Sequence, residues 1–268
     1  MQIWQAILIA LLAYLGSIGS VVGNTIGWYN LGRPLVASFL VGLIMGNVPM
    51  AITLGLLLQL ANLGSVTPGG AVGWDLSYAT YIGVACALAL NIGATAEITI
   101  ASMWIFSTIG GAIGVAMWNL TYALDLIVNR VAMKGTTEGN PKLIALANAG
   151  LGNLIGFVCR FIPAIAILVT TAVVGSQTGF NIADLMPGWL ITTLGAFGGM
   201  MAALGMGILL SFLMKKGWQF CLFLLGFMLV TYFALNTMAV AILAIIVAVI
   251  YYTAITAMDK KKEALPNG

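Results

Sequence analysis

Histidine is absent from all 268 residues, and charged residues make up only 6% of the chain. The first absence removes the commonest general base, proton relay and metal ligand, and with them any phosphohistidine intermediate on this chain. The second excludes a soluble globule, because soluble domains carry roughly 25% charged residues. Cysteine is scarce as well. Cys86, Cys159 and Cys221 lie inside apolar runs without metal or redox spacing, and they read as small buried hydrophobes. No glycine-rich dinucleotide fingerprint, phosphate-binding loop, zinc motif or Ser/His/Asp set occurs. Neither metal, cofactor nor catalytic group is therefore expected. The net charge of +3 comes from clustered loop residues and gives no reason to expect nucleic acid. No Lys or Arg precedes the first apolar run, so a removed signal peptide is not expected.

What the chain does have is hydrocarbon: 62% hydrophobic residues and a mean hydropathy of +1.10. It reads as an all-α integral membrane protein surrounded by membrane lipid. No charge occurs between Arg33 and Asp75, Arg160 and Asp184, Asp184 and Lys215, or Lys216 and Asp259. Apolar runs over Ile3–Val22, Leu35–Leu58, Tyr78–Leu90, Ile98–Leu120, Leu143–Val174 and Pro187–Leu213 precede a last gap long enough for two crossings. At about 20 residues per crossing this gives about seven to nine membrane segments, including broken or re-entrant helices. Residues 1–258 are expected to form one transmembrane domain and 259–268 a short basic cytoplasmic tail. Three basic clusters, Arg130 with Lys134 and Lys142, Lys215 with Lys216, and Lys260 to Lys262, are each two crossings apart. All three can lie in the cytoplasm, as the excess of Lys and Arg in cytoplasmic loops requires. That puts the C-terminus there too.

The stretch "GSVTPGGAVGWDLS", Gly64 to Ser77, interrupts this pattern with Pro68, paired glycines and Asp75. Broken backbone is tolerated at membrane depth only inside protein or along a watery cavity, and a carboxylate facing lipid is expensive. Just upstream, Gln59 and Asn62 are three residues apart and share a helix face. Amides, the Thr67 hydroxyl, Asp75 and the Trp74 ring suit a sugar, whose C–H face stacks while its hydroxyls bond. Discontinuous helices are also where secondary transporters bind substrate. The bland alternatives stay open here: an external loop with Asp75 capping the next helix, and Gln59 and Asn62 as interhelical glue. Arg160 sits inside an apolar run and calls for a protein partner. Arg33, before Pro34, either pairs with an internal carboxylate or reaches the interface.

Several stretches in order carry a family resemblance: "GRPLVASFLVGLIMGN" (Gly32–Asn47), "LGLLLQLANLGSVTPGGAVGWD" (Leu54–Asp75), "CRFIPA" (Cys159–Ala164), "LMPGWLITTLGAFGGMMAALGMGILL" (Leu185–Leu210) and "FLLGFMLVTYF" (Phe223–Phe233). Together they resemble the IIC membrane subunit of the mannose/fructose/sorbose family of bacterial sugar phosphotransferase systems. The resemblance implies a sugar-translocating subunit in the bacterial inner membrane. It would work with a IID membrane subunit in an oligomer of IIC–IID pairs, while cytoplasmic IIA and IIB phosphocarriers phosphorylate the incoming hexose or amino sugar. On that reading Gln59, Asn62, Thr67, Trp74 and Asp75 meet the sugar, and Arg33 and Arg160 are structural or gating charges. One departure is Gln59, where the family often has an acidic residue. The competing class is a phosphate-independent secondary transporter or channel for a small polar solute.

Overall fold

Helix ends in this protein fall where the sequence places its few caps and breakers. The computed structural model describes residues 1–63, 74–91, 95–177 and 187–263, and all elements among these are helical. Helix α1 (Ile3–Leu15) opens on a capping box between Gln2 and Gln5. A short turn, α2 (Gly23–Ile26), runs into a π-helical turn (Gly27–Leu31). Helix α3 (Pro34–Met45) has proline at its first position and ends at Gly46 with φ +77°, a conformation that favours glycine. Helix α4 (Val48–Ala61) restarts at once behind Asn47, whose Oδ1 accepts from the Met50 N–H at 3.4 Å.

The apolar run Leu35–Leu58 is therefore folded back on itself. At 12 and 14 residues, α3 and α4 reach only about 18 and 21 Å, short of a hydrocarbon core of roughly 30 Å. Their contact is close. A Cβ on Gly55 would lie 1.8 Å from Ser38 Oγ, and one on Gly42 would lie 2.7 Å from Ala51 Cβ.

Helix α5 (Leu76–Leu90) is buried at every position. It is apolar all round, as a helix enclosed by others must be, and α1, α3, α4, α6 (Ala96–Thr137) and α8 (Gly152–Gln177) surround it. Its tightest neighbour is α6 (Ala96–Thr137), where Ser107, Gly110, Gly111 and Gly114 form one face against α5.

The length of α6 differs from the expectation of an apolar run ending at Leu120 with Arg130 and Lys134 in a loop beyond it. The helix has 42 residues, roughly 60 Å at about 1.5 Å per residue. Residues 121–137 contain no proline and a single glycine, and polar side chains on a protruding helix are simply solvated. The turn comes at Gly139 (φ +62°), followed by Asn140, which caps α7 (Pro141–Ala145). A second π-helical turn (Leu146–Leu151) leads into α8 (Gly152–Gln177), which carries Pro163, and α9 spans Gly188–Leu213.

Two compact units divide the chain, Met1–Leu210 and Ser211–Gly268. The second contains α10 (Gln219–Thr231) and α11 (Thr237–Glu263), with Asn236 Oδ1 accepting from the Met238 N–H between them at 3.1 Å. Its large apolar side chains are mostly exposed, as hydrocarbon or another membrane protein would require. Cys221 is exposed there, while Cys86 and Cys159 are buried, so the expectation of three buried cysteines is corrected at Cys221. Among the described residues, Ala96–Thr137, Pro141–Val174 and Thr237–Ala257 are long and apolar enough to cross a membrane.

Candidate functional site

The start of α5 gathers the buried charges. Asp75 is wholly buried, and its Oδ1 accepts from the Tyr78 N–H at 2.9 Å, capping the helix. Its Oδ2 pairs with the Arg160 guanidinium from the middle of α8. Glycine makes this possible: a Cβ on Gly114 would lie 2.6 Å from Asp75 Cβ, and one on Gly111 would lie 1.5 Å from the Trp74 indole nitrogen. The face of α6 thus seats both residues side by side.

Arg160 is held from three directions. Its guanidinium carbon lies 5.5 Å from the Tyr78 ring centroid and 5.3 Å from that of Trp118, within reach of cation–π attraction. Its carbonyl accepts from the Tyr78 hydroxyl at 3.0 Å, three residues before Pro163, where proline loosens a helix's own bonding. A buried pair of this kind contributes little net stability, since desolvation offsets the attraction. What it fixes is register: the start of α5 against the middle of α8.

The predicted sugar-facing residues fall into two groups. Asp75 meets Arg160 at this junction, with both its oxygens engaged inside the protein, while Trp74 packs next to it against Gly111. Gln59 and Asn62 lie half-buried at the end of α4, where Asn62 Nδ2 donates to the Leu58 carbonyl at 2.9 Å. No hydrogen bond or ion pair among the described residues joins Gln59 to Asp75. Helix α9 comes close here, since a Cβ on Gly205 would lie 2.1 Å from the Leu60 carbonyl oxygen. Thr67 and most of the Gly64–Ser77 stretch lie outside the described residues. Arg33 sits over the Tyr29 ring at 5.9 Å and has no ion pair among the described residues.

Sequence reasoning missed Trp118 and Tyr78, the aromatic walls around Arg160. The available signal was their spacing, since Gly111, Gly114 and Trp118 recur at three and four residues along one face. Beyond Trp118 the far edge of Arg160 lines a cavity of about 320 Å³ between α6 and α8.

Three comparisons bear on this arrangement. A family model for the sorbose-specific IIC component of the PTS system matches residues 3–250. Relatives include the mannose-specific EIIC components of Escherichia coli K12 and Shigella flexneri. Each is 25% identical over 248 residues, spanning 92% of this chain and 87% of the relative. A solved structure known only as a membrane protein superposes with a TM-score of 0.73 at 21% identity, covering 94% of this chain and 96% of its own. The cryo-EM structure of the mannose transporter ManYZ with microcin E492 superposes with a TM-score of 0.50, again at 21% identity with the same coverage. At that identity the two structures speak for the fold alone.

Proposed function

The chain belongs to the family of sorbose-specific IIC components of the PTS system, and from that premise we propose the following working part. It is the sugar-translocating membrane subunit of a phosphoenolpyruvate-dependent phosphotransferase system, carrying a hexose or amino sugar across the bacterial inner membrane. The observation that carries this reading is the family match over residues 3–250. The 268 residues hold no histidine, so the phosphoryl relay runs through IIA and IIB partners. A IID membrane subunit completes the translocation unit, with IIC–IID pairs assembled into an oligomer.

Residues 1–258 act as one transmembrane domain of about seven to nine segments at about 20 residues per crossing, with half-length hairpins such as α3–α4 among them. The basic tail 259–268 faces the cytoplasm. At the sugar, Gln59 and Asn62 at the end of α4, Thr67 and Trp74 form the contacting set. Asp75 serves them by locking the start of α5 to Arg160, and Arg33 guards the entry to α3.

Uptake of a labelled sugar panel tests this in a host lacking its own sugar transporters, with IIA, IIB and IID supplied together with this chain. Sugar should appear inside the cell as its phosphate, and only when all four proteins are present. Accumulation of free sugar would instead establish a phosphate-independent transporter, and full activity without IID would remove that partner from the scheme.

A further inference from the structure

Below Arg160 the facing surfaces of α6 and α8 turn polar. Trp118, Thr121, Tyr122 and Asp125 recur at three and four residues along α6, and Asn148, Asn153 and Arg160 descend the opposite wall. Between them lies the cavity of about 320 Å³, roofed by Ser17 to Gly19 after α1. Its size is at the small end of ligand pockets, which run from about 300 Å³ upward. Two buried donors on residues at its Arg160 end are unsatisfied. Arg160 is 3% exposed and Trp118 is 7% exposed, yet the Arg160 Nη2 and the Trp118 indole nitrogen have no hydrogen-bond partner. Buried donors of this kind normally have one. Asn148 sits on the π-helical turn, and such local widenings recur at functional sites.

The charge balance narrows the occupant. Arg160 is neutralised by Asp75, and Asp125 has no ion pair among the described residues, so the cavity carries one uncompensated negative charge. An anion is repelled. The walls combine a carboxylate acceptor, two amides and the Trp118 and Tyr122 rings, which meet edge to face at 5.2 Å. This is recognition chemistry for alternating hydroxyls and an apolar C–H face.

We propose that this cavity binds one neutral polyhydroxyl molecule, at a station distinct from the Gln59–Asn62 end of α4. It admits the neutral sugar and rejects its phosphate. The choice of a hexose as occupant rests on the function proposed above, whereas the preference for a neutral polyol rests on the cavity alone.

Gly156 supplies the test. It lines the cavity within α8, and a Cβ there would meet nothing nearer than the Gly19 carbonyl oxygen at 3.9 Å. Gly156→Leu therefore fills the cavity from a helix that tolerates the change. The full chain, co-purified with its membrane partner in a detergent without a sugar headgroup, is titrated with radiolabelled mannose, sorbose and mannose 6-phosphate. Wild type should bind at least one neutral sugar, and the phosphate at least tenfold more weakly. Gly156→Leu should abolish one component of that binding without lowering the melting temperature. Asp125→Asn should weaken the same component about tenfold or more and narrow the gap to the phosphate, while Gln59→Ala leaves that component in place. Unchanged binding in both Gly156→Leu and Asp125→Asn overturns the proposal, as does a wild type that binds neither sugar. Phosphorylating uptake in cells judges the transport reading separately, so the two failures are distinguishable.

Discussion

Asp75 does two jobs with one carboxylate, and substitution can separate them. Asparagine caps helices about as well as aspartate, so Asp75→Asn keeps the bond from the Tyr78 N–H and removes only the charge facing Arg160. Both side chains are almost fully buried, and breaking such a pair costs about 3–5 kcal/mol because the remaining charge is stranded. Asp75→Asn should therefore accumulate poorly in the membrane and melt well below the parent. Adding Arg160→Gln should recover much of the loss by removing the stranded charge. Membrane abundance and thermal unfolding of the purified protein measure both, and a single variant that matches the parent would mean the pair does no structural work. The demand for a partner is legible at Arg160, because an arginine inside an apolar run cannot stand alone. The identity of that partner is not, since the acid lies on another helix and only the packing of α5 on α6 and α8 brings them together. Trp118 and Tyr78 were hidden for the same reason: an aromatic in an apolar helix looks like packing until its neighbour is known.

At the scale of elements, composition and charge gaps made the helical membrane class readable, and Gly, Asn and Pro located most helix ends. Two boundaries were obscured. An apolar run does not reveal whether it crosses or turns back, and in Leu35–Leu58 that choice rests on one left-handed glycine, Gly46. Nor does polarity end a helix, and α6 continues through Asp125, Arg130 and Lys134. The α3–α4 hairpin depends on backbones approaching without side chains between them, as small residues permit in membranes. Gly55→Ala places its new carbon 1.8 Å from Ser38 Oγ and 2.7 Å from the Pro34 carbonyl oxygen, so the hairpin must splay. Overpacking of this kind costs about 1–3 kcal/mol. The variant should lose melting temperature accordingly, and Ser38→Gly in the same chain should restore part of it by removing the nearer obstacle. If Gly55→Ala melts like the parent, the two helices are not in backbone contact.

For the whole molecule the basic residues set an expectation of which way the chain faces, and labelling tests it. Helix α6 runs from Thr95 and Glu97 at one end to Arg130 and Lys134 near the other, and the next two basic clusters follow at Lys215 with Lys216 and at Lys260 to Lys262. Cytoplasmic loops collect Lys and Arg because translocating them is unfavourable, and an even number of crossings between clusters would keep all three on that side. A background with Cys86, Cys159 and Cys221 changed to serine allows single cysteines to report their location. Thr136→Cys, Lys215→Cys and Lys260→Cys should react with a membrane-impermeant maleimide only in inverted vesicles. Thr95→Cys, at the exposed start of α6, should react only from outside intact cells. Labelling of Lys215→Cys from the outside would mean an odd number of crossings between Lys142 and Lys215.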